Sequence, residues 1–344
     1  MNESVRGSAG IKDVAALSGV SPSTVSRTLT GSARVDEKTR RKVLQAVKEL
    51  NYQPSMAARN LKAGESRLIG LIIPDIENPY YPQIVKTLED LALQAGYTLV
   101  FCSARRDAKR EQAFFETFQH LLVDGILYVP STDNVEFARE CAEAIPMVVI
   151  NRSVDIPAPC INICNEDAAY DGLHYLIQNG HRKISLCINN SGQQYNPERL
   201  AGCRKAFSEA AVGDYEHYWI RDLGDEDDVY IRVKARLQEP DPPTAFFLFN
   251  DNMALSVYRA VMDCGLRIPD DISVMGFDDI PTARYMAPPL STVRHATYDT
   301  LKVIFENLKR QIDTREFGIG SVTYYKAKLM IRDSVRDIRE TVQT

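Results

Sequence analysis

Short amphipathic stretches separated by turn residues open the chain. Apolar residues recur at helical spacing over 11–17, Gly19 interrupts the pattern, and it starts again after Ser21. Ser21 suits a helix cap because its hydroxyl accepts from an unpaired backbone N–H, and Pro22 suits the next position because it has no N–H to lose. The pattern predicts two short helices joined by a tight turn, a helix-turn-helix whose second helix spans 21–29.

A third helix is predicted to follow, capped by Asp36. Its apolar stripe consists of Val43, Leu44, Val47 and Leu50. We expect this stripe to pack against the first two helices, because one apolar face of a short helix must be covered by its neighbours.

The outward residues of the second helix are candidate contacts to DNA, because its first turn enters the major groove in such a unit. Arg27 can pair with a guanine edge or a phosphate, and Ser23 and Ser26 can donate to either. Pro22 offers apolar contact alone. The candidate DNA-binding residues of the head are Ser21, Pro22, Ser23, Thr24, Ser26 and Arg27 at the second helix, and Asn51 and Tyr52 after the third. A module that docks other proteins is the alternative.

From residue 67 onward, apolar runs rich in β-branched residues alternate with longer amphipathic stretches. The runs read RLIGLIIP, YTLVFCSA, DGILYVPS, PMVVINR, KISLCINN, TAFFLFN and DISVMGFDD. This alternation predicts an α/β fold of doubly wound parallel sheets with helices on both faces. Open sheets of this kind bind ligands outside the carboxyl ends of their strands, so a site is expected in the segments after the runs.

Composition and charge narrow the class of protein. The chain has 344 residues, 44% apolar and 25% charged, which is typical of a folded protein of two or three domains. Residues 1–67 hold 12 Lys and Arg against 6 Asp and Glu, and the rest hold 29 against 40. The head therefore carries +6 and the body −11. A cationic head suits DNA phosphates, and an acidic body suits small molecules or protein partners.

Other classes of protein are disfavoured. No apolar run reaches the roughly 18 residues of a membrane span and the first ten residues lack a secretory signal, so we expect a cytoplasmic protein without membrane contact. The seven scattered cysteines fit reduced core positions better than a metal site. HExxH, G-x-S-x-G, P-loop and dinucleotide motifs are missing. We expect no catalytic residues, no metal and no cofactor.

The chain resembles the LacI/GalR (lactose/galactose repressor) family of bacterial transcription regulators. The head segments that carry the resemblance are IKDVAALSGVSPSTVSRTLTG and VDEKTRRKVLQAVKELNYQPSMAARNLK. The body segments are IGLIIPDIENPYY, DGILYVPS, NGHRKISL, ERLAGCRKAF, FFLFNDNMAL, DISVMGFDD and PPLSTV. The resemblance implies a three-helix headpiece at 1–54, a hinge at 55–66, a two-lobed periplasmic-binding-protein-like body at 67–334 that binds effector and dimerises, and a tail at 335–344.

The resemblance also assigns a role to AARNLK, as a hinge that becomes helical when two chains meet on DNA. By position, Leu61 is the leucine that enters the minor groove, and Ala58 is a further candidate contact. A short isolated helix is unstable in water, so we expect 55–61 to order only with DNA and a partner hinge. A leucine wedged between bases kinks the duplex. The alternative is a plain linker in which Leu61 contacts the body.

Polar and aromatic residues that follow the predicted strands are candidate effector contacts. They are Asp75, Tyr80, Tyr81, Asn151, Arg199, Asn250 and Asp278. The resemblance supports all of them except Asp75. Carboxylate, amide and guanidinium groups make paired bonds to vicinal hydroxyls, and tyrosine rings stack on the apolar face of a ring. Arg199 is the strongest candidate, because it opens an apolar helix with only Glu198 as an acidic neighbour.

Some of these residues have structural alternatives. Asp75 can form an Asx-type turn with Asn78 instead of binding a ligand. One of Tyr80 and Tyr81 can belong to the core. Asp279 is expected to cap a helix or face solvent.

The expected function is that of a DNA-binding transcription regulator, a repressor, which binds a near-palindromic double-stranded operator as a homodimer under small-molecule control. Tyrosines and neutral amides, without a visible basic cluster in the body, favour an uncharged sugar as effector. A purine or nucleoside is the second choice, and relatives that use a phosphocarrier protein as corepressor make a protein effector a third. A solute-binding protein without DNA function fits the body alone. The tail lacks leucine heptads, which favours a dimer over a tetramer.

Overall fold

The chain divides into two units. The computed structural model describes residues 9–29, 35–52, 65–189 and 197–339. The units are Met1–Ser66 and Arg67–Thr344, and they hold the helical head and the α/β body respectively. Within the part described, none of the helices combines the length and hydrophobicity that crossing a bilayer takes.

The head contains α1 (Ile11–Ser18), α2 (Pro22–Leu29) and α3 (Glu37–Glu49). Gly19 ends α1 at a φ of 67°, a left-handed conformation that glycine adopts without strain, and this turns the chain toward α2. The N–H of Thr24 donates to Ser21 Oγ at 3.2 Å, and the N–H of Thr39 donates to Asp36 Oδ1 at 2.9 Å. Both predicted helix caps are therefore confirmed.

The three helices enclose a small apolar core. Its buried members are Val14, Ala15, Val25, Val43 and Ala46. Leu44 was expected in the apolar stripe of α3, but half of its surface is exposed. A helix of 3.6 residues per turn places 43, 46 and 50 on one face, and residue 44 lies to one side of it.

The strands and helices of the body alternate along the chain. The strands are β1 (Leu68–Ile73), β2 (Thr98–Ser103), β3 (Gly125–Tyr128), β4 (Met147–Ile150), β5 (Pro159–Ile163), β6 (Ile184–Asn189), β7 (Ile220–Leu223), β8 (Ala245–Leu248), β9 (Ser273–Met275), β10 (Thr292–Arg294), β11 (Ser321–Tyr325) and β12 (Lys328–Met330). The helices are α4 (Tyr80–Gln94), α5 (Ala108–His120), α6 (Glu136–Ala144), α7 (Asn165–Gln178), α8 (Pro197–Glu209), α9 (Glu226–Leu237), α10 (Ala254–Asp263) and α11 (Tyr298–Thr314).

Two parallel sheets define two lobes. The sheet of the first lobe has the spatial order β11-β5-β4-β3-β1-β2, with α4 and α11 on one face and α5 and α6 on the other. The sheet of the second lobe has the order β7-β6-β8-β9, with α7 and α8 on one face and α9 and α10 on the other. Strands β10 and β12 form an antiparallel pair. Parallel sheets covered on both faces confirm the predicted α/β fold.

The chain passes between the lobes at three places: between β5 and α7, between β10 and α11, and between β11 and β12. The carboxyl-terminal segment then returns along the second lobe. The N–H of Val274 donates to the carbonyl of Ser334 and the N–H of Ile338 to that of Asn179, both at 2.8 Å. The chain up to Ile338, in the predicted tail, is thus held by backbone hydrogen bonds.

Candidate functional site

A cavity of about 330 Å³ lies between the two lobes. Segments that follow β2, β3, β4, β5, β8 and β9 contribute to its wall, where the topology of open parallel sheets places ligands. Six of the seven candidate effector residues line it: Tyr80, Tyr81, Asn151, Arg199, Asn250 and Asp278. Residues from distant parts of the sequence therefore meet at one place.

Asp75, the seventh candidate, does not line the cavity. Its Oδ1 accepts from the N–H of Glu77 at 2.9 Å, and Asn78 Oδ1 accepts from the N–H of Tyr80 at 3.0 Å. Both side chains therefore form Asx-type turns that lead into α4, as the structural alternative proposed. Both Tyr80 and Tyr81, and not one of the two as expected, are buried in the core of the body, and both also contribute to the cavity wall.

A chain of hydrogen bonds joins the two lobes at the cavity. Asn151 Nδ2 donates to Tyr80 Oη at 2.5 Å, and Tyr80 Oη lies 3.2 Å from His295 Nδ1. His295 Nε2 in turn lies 2.9 Å from Asp278 Oδ1. Asn151 and Tyr80 belong to the first lobe, His295 to the crossover before α11, and Asp278 to the segment after β9. His295 thus connects three candidates that the sequence identified separately.

The buried ring of His295 packs between aromatic side chains, with ring centroids 4.8 Å from Tyr80 and 5.5 Å from Phe277. Burial lowers the pKa of His295 more than the hydrogen bond to Asp278 raises it, so the imidazole is neutral at pH 7. Burial, together with the charge of Asp278, raises the pKa of Tyr80. The phenol therefore keeps its proton.

Arg199 is buried and held in one orientation at the amino end of α8. Its Nε donates to Asn165 Oδ1 at 2.9 Å, and its Nη1 donates to the carbonyl of Phe249. Its guanidinium carbon lies 3.5 Å from the ring centroid of Phe277, a cation–π contact. Neutral partners and an aromatic face therefore fix the cation that the sequence singled out.

Gly202, one turn along α8 from Arg199, allows the close approach that this arrangement requires. A Cβ atom at this position would lie 2.1 Å from the carbonyl oxygen of Glu166 on α7. A side chain here would push α8 away from the helix that supplies Asn165, the partner of Arg199.

Asp278 and Asp279 occupy strained backbone conformations, with φ of 122° and 54°. A non-glycine residue in these regions costs on the order of 1–3 kcal/mol, and such strain is concentrated at ligand sites. Asp279 is buried and accepts from Arg294 Nε at 2.5 Å and from Arg332 Nη2 at 2.6 Å. The expectation that Asp279 caps a helix or faces solvent is therefore wrong. Its partners lie far along the sequence, where local pattern gives no signal.

A further buried acid lies behind this wall. Asp251 accepts from the hydroxyl of Thr292 at 2.7 Å and from the N–H of Ile280 at 3.0 Å. Burial and the neighbouring charge of Asp278 raise the pKa of Asp251 to about 7. Across the described ranges, no group of three or more His, Cys, Asp or Glu side chains is arranged to hold a metal ion.

The first lobe supports its side of the cavity with Glu111 of α5. The carboxylate accepts from the N–H and the hydroxyl of Ser131 at 2.9 and 2.5 Å. It also accepts from the hydroxyls of Thr132 and Tyr128 at 2.9 and 3.1 Å. Because Ser131 lines the cavity, Glu111 fixes the cavity wall after β3 without lining it.

The sequence reasoning missed several residues of the wall. Arg106 and Arg152 line the cavity together with Arg199, the candidate that the sequence did identify. Three arginines from separate segments thus meet at one wall, although no basic cluster is visible in the sequence. Arg152 directly follows Asn151, and Arg106 follows β2. Because open parallel sheets bind ligands at the carboxyl ends of their strands, both arginines could have been identified from their positions. Asn165 and His295 lie at crossovers between the lobes, which only the topology identifies.

The head presents a polar surface at the start of α2. Ser21, Pro22, Ser23 and Arg27 are exposed, whereas Thr24 and Ser26 are half-buried. Ser21 Oγ lies 2.8 Å from Ser23 Oγ and 2.9 Å from Thr24 Oγ1.

The other candidate DNA contacts lie after α3. Asn51 is exposed, in a left-handed conformation with a φ of 45°, and Tyr52 is half-buried against the core of the head. Ala58 and Leu61 lie outside the described residues.

Comparison with known proteins places both units in one family. Residues 10–55 match the model of bacterial regulatory proteins of the lacI family, and residues 173–335 match a periplasmic binding protein-like domain. The ribose operon repressor of Haemophilus influenzae is 35% identical over 305 residues, covering 88% of this chain and 92% of that protein. The HTH-type transcriptional repressor PurR of Vibrio vulnificus is 35% identical over 335 residues, covering 96% of this chain and 99% of that protein. The chain belongs to the lacI family.

Structural comparison agrees with this assignment. The lac repressor dimer bound to operator and the anti-inducer ONPF is similar with a TM-score of 0.83 and 26% identity, covering 96% of this chain and all of that one. This lacI-family protein is therefore a DNA-binding transcription regulator under small-molecule control, as its sequence predicted, and its family is one of regulators and not of enzymes. The head and the cavity are its candidate DNA-binding and effector sites.

Proposed function

We propose that this regulator represses transcription as a homodimer on a near-palindromic operator, and that a small uncharged sugar in the cavity controls its affinity for DNA. The proposal divides the chain into a DNA-reading headpiece (1–54), a hinge (55–66) containing Ala58 and Leu61, and an effector-binding and dimerising body (67–334). Since its target is bacterial DNA, the proposed place of action is the cytoplasm.

The composition of the cavity wall carries the proposal of a sugar effector. Tyrosine rings, the amides of Asn151 and Asn250, the carboxylate of Asp278 and the guanidinium of Arg199 surround one space. Arg106 and Arg152 also line it, and Arg152 is paired with the carboxylate of Asp133. Such groups make paired bonds to hydroxyls and cover the apolar face of a sugar ring. At about 330 Å³ the cavity lies near the lower end of the roughly 300–1,000 Å³ common for ligand pockets, which suits a monosaccharide.

The homodimer is supported by exposed apolar surface on the body. Leu255 and Met262, seven residues apart on α10, share one face of the helix and are 63% and 64% exposed. Two heads related by a two-fold axis require half-sites about one helical turn apart. Sedimentation velocity is expected to give twice the mass of one chain.

A purine or nucleoside is the second candidate effector. Tyr80 and Tyr81, with ring centroids 5.1 Å apart, supply aromatic surface on which a flat base can stack. Because PurR proteins are among the relatives at similar identity, purines belong in any ligand screen. A phosphocarrier protein is the expected effector if no small molecule binds.

A thermal-shift screen tests the proposal. Aldopentoses including D-ribose, aldohexoses, purine bases and nucleosides are added to the full chain, and a ligand of the folded state raises the melting temperature by mass action. Arg199→Ala is expected to remove that shift, because it deletes the buried cation of the cavity. Arg204→Ala is the matched control, since Arg204 lies on the same helix, outside the cavity and exposed beside Glu216.

Operator affinity, measured by fluorescence anisotropy with and without the ligand, completes the experiment. The bound ligand is expected to change operator affinity by about 5- to 150-fold, the usual range of allosteric coupling. Affinity should fall steeply with salt because the head neutralises phosphates. A shift that persists in Arg199→Ala, or operator binding that no ligand affects, would contradict the proposal.

A further inference from the structure

The hydrogen-bond directions along the chain from Asn151 to Asp278 are fixed by chemistry. The charged and titratable groups that face the imidazole of His295 are Asp278, Tyr80 and Arg199. A carboxylate only accepts hydrogen bonds, so His295 Nε2, 2.9 Å from Asp278 Oδ1, carries the proton of the neutral ring. His295 Nδ1 is then an acceptor.

The same reasoning assigns donor and acceptor roles to the next two groups, the hydroxyl of Tyr80 and the side-chain amide of Asn151. The hydroxyl of Tyr80, 3.2 Å from His295 Nδ1, is the donor that this nitrogen requires. A phenol has one hydrogen, so once it points to His295 its oxygen offers only lone pairs. Asn151 Nδ2, at 2.5 Å, occupies one of them as a donor.

The result is a wall that accepts hydrogen bonds. Asn151 Oδ1 and Asp278 Oδ2 have no protein donor within hydrogen-bond distance among the residues for which the structure gives contacts. Tyr80 Oη keeps a remaining lone pair. All three side chains line the cavity, so their free oxygen atoms offer a ligand acceptors, and Tyr80 offers it no hydroxyl hydrogen. The donors of the cavity are other groups, the second N–H of Asn151 Nδ2 and the guanidinium of Arg199.

We propose that His295 is a specificity-determining residue: by binding the hydroxyl hydrogen of Tyr80, it makes the Asn151–Tyr80–Asp278 wall select effector groups that donate hydrogen bonds and reject carbonyl, carboxylate and phosphate oxygens. This inference rests on the proposed function and adds a rule for the ligand. The effector presents hydroxyl or N–H donors to this wall. Against an acceptor on the ligand, the buried protein acceptors would remain unpaired, which is how polar sites achieve strong discrimination.

The test compares a sugar with its lactone, which carries a carbonyl oxygen in place of one hydroxyl. The probes are D-ribose and D-ribono-1,4-lactone, or, where the screen finds a tighter aldose, that aldose and its aldonolactone. Isothermal titration of the wild type is expected to show the sugar bound about 100-fold more tightly or better.

His295→Phe keeps an aromatic ring beside Tyr80 and Phe277 but removes the acceptor, so the Tyr80 hydroxyl can turn toward the ligand. The preference for the sugar is expected to fall to about tenfold or less, with part of the change arising from improved lactone binding. His295→Gln, whose amide can donate to Asp278 and accept from Tyr80, should restore most of the preference. A structural role alone predicts equal losses for both probes, and that result would overturn the inference.

A second measurement is independent of any ligand. The chain has five histidines, and ¹⁵N-labelled histidine spectra of the wild type and His295→Phe identify the signal of His295 by its loss. A neutral ring with its proton on Nε2 supports the inference, and a proton on Nδ1 or on both nitrogens overturns it. Failure of every sugar to bind the wild type would instead contradict the proposed function, so the two failures are distinguishable.

Discussion

Glu111 in the first lobe and Asp279 in the second are both buried carboxylates behind the cavity wall, but different donors hold them. Glu111 accepts from neutral groups of Ser131, Thr132 and Tyr128. Asp279 accepts from two guanidinium groups, those of Arg294 and Arg332. The first lobe therefore supports its wall with a carboxylate bound by neutral donors from one region of the sequence, whereas the second lobe joins three separate segments through ion pairs.

This difference determines how much unfolding free energy is lost when the buried carboxylate of each lobe is removed. Neutral donors that lose their acceptor lose only hydrogen bonds. Buried cations that lose their anion also lose favourable electrostatic free energy. The second lobe also holds Asp251, whose pKa is raised to about 7, so it should respond to pH where the first lobe does not. Substitutions in the two lobes can test this asymmetry directly.

Asp279→Ala is expected to have the largest effect. It leaves Arg332, whose side chain is only 15% exposed, without its carboxylate, and removing one partner of a buried pair costs about 3–5 kcal/mol of unfolding free energy. Because Arg294 is 38% exposed and partly solvated, the lower end of that range is expected. Urea denaturation of wild type and variant measures the difference.

Asp155→Ala is the matched control for that experiment. Its carboxylate pairs with Arg139 at 2.6 Å but is 97% exposed, so its removal should cost less than about 1 kcal/mol. Equal losses in the two variants would show that burial of Asp279 has no energetic consequence, and the contrast between the lobes would then be wrong.

Glu111→Gln is expected to have a smaller effect, about 2 kcal/mol, because the amide keeps one acceptor oxygen and leaves at least one buried donor unsatisfied. Effector affinity should fall as well, since Ser131 of the cavity wall loses its anchor. Glu116→Gln on the exposed side of the same helix should change neither quantity. A Glu111 variant as stable as the Glu116 variant would contradict the supporting role of the buried carboxylate.

The head and the sheets could be predicted because their signals are local. Ser21 and Asp36 are three residues from the N–H groups they cap, so the sequence shows the helix starts directly. Asn151, Asn250 and Asp278 each follow an apolar run, and the geometry of parallel sheets brings the ends of such runs together. Leu44 was misplaced because adjacent apolar positions of a short helix cannot be ranked without its neighbours.

The support of the cavity could not be predicted because its contacts are distant in sequence. Arg332 reaches Asp279 across 53 residues, and His295 reaches Tyr80 across 215. His295 itself follows a strand of only three residues that pairs with a later antiparallel strand, so no long apolar run marks its position. Which residues occupy the crossovers depends on how the chain divides between the lobes.

Asp251→Asn tests the smallest expected difference, the response of the second lobe to pH. The raised pKa means that the folded protein retains a proton on Asp251 that the unfolded chain has released, so stability falls as pH rises through about 7 and is level above it. Between pH 6 and pH 8 the wild type should lose about 1 kcal/mol relative to Asp251→Asn, because one pKa unit corresponds to about 1.4 kcal/mol. Other groups, including the buried His181, titrate in both proteins and cancel in the difference of their unfolding free energies. A difference that stays constant with pH would mean that Asp251 is already ionised in the folded protein and that the two lobes do not differ in this respect.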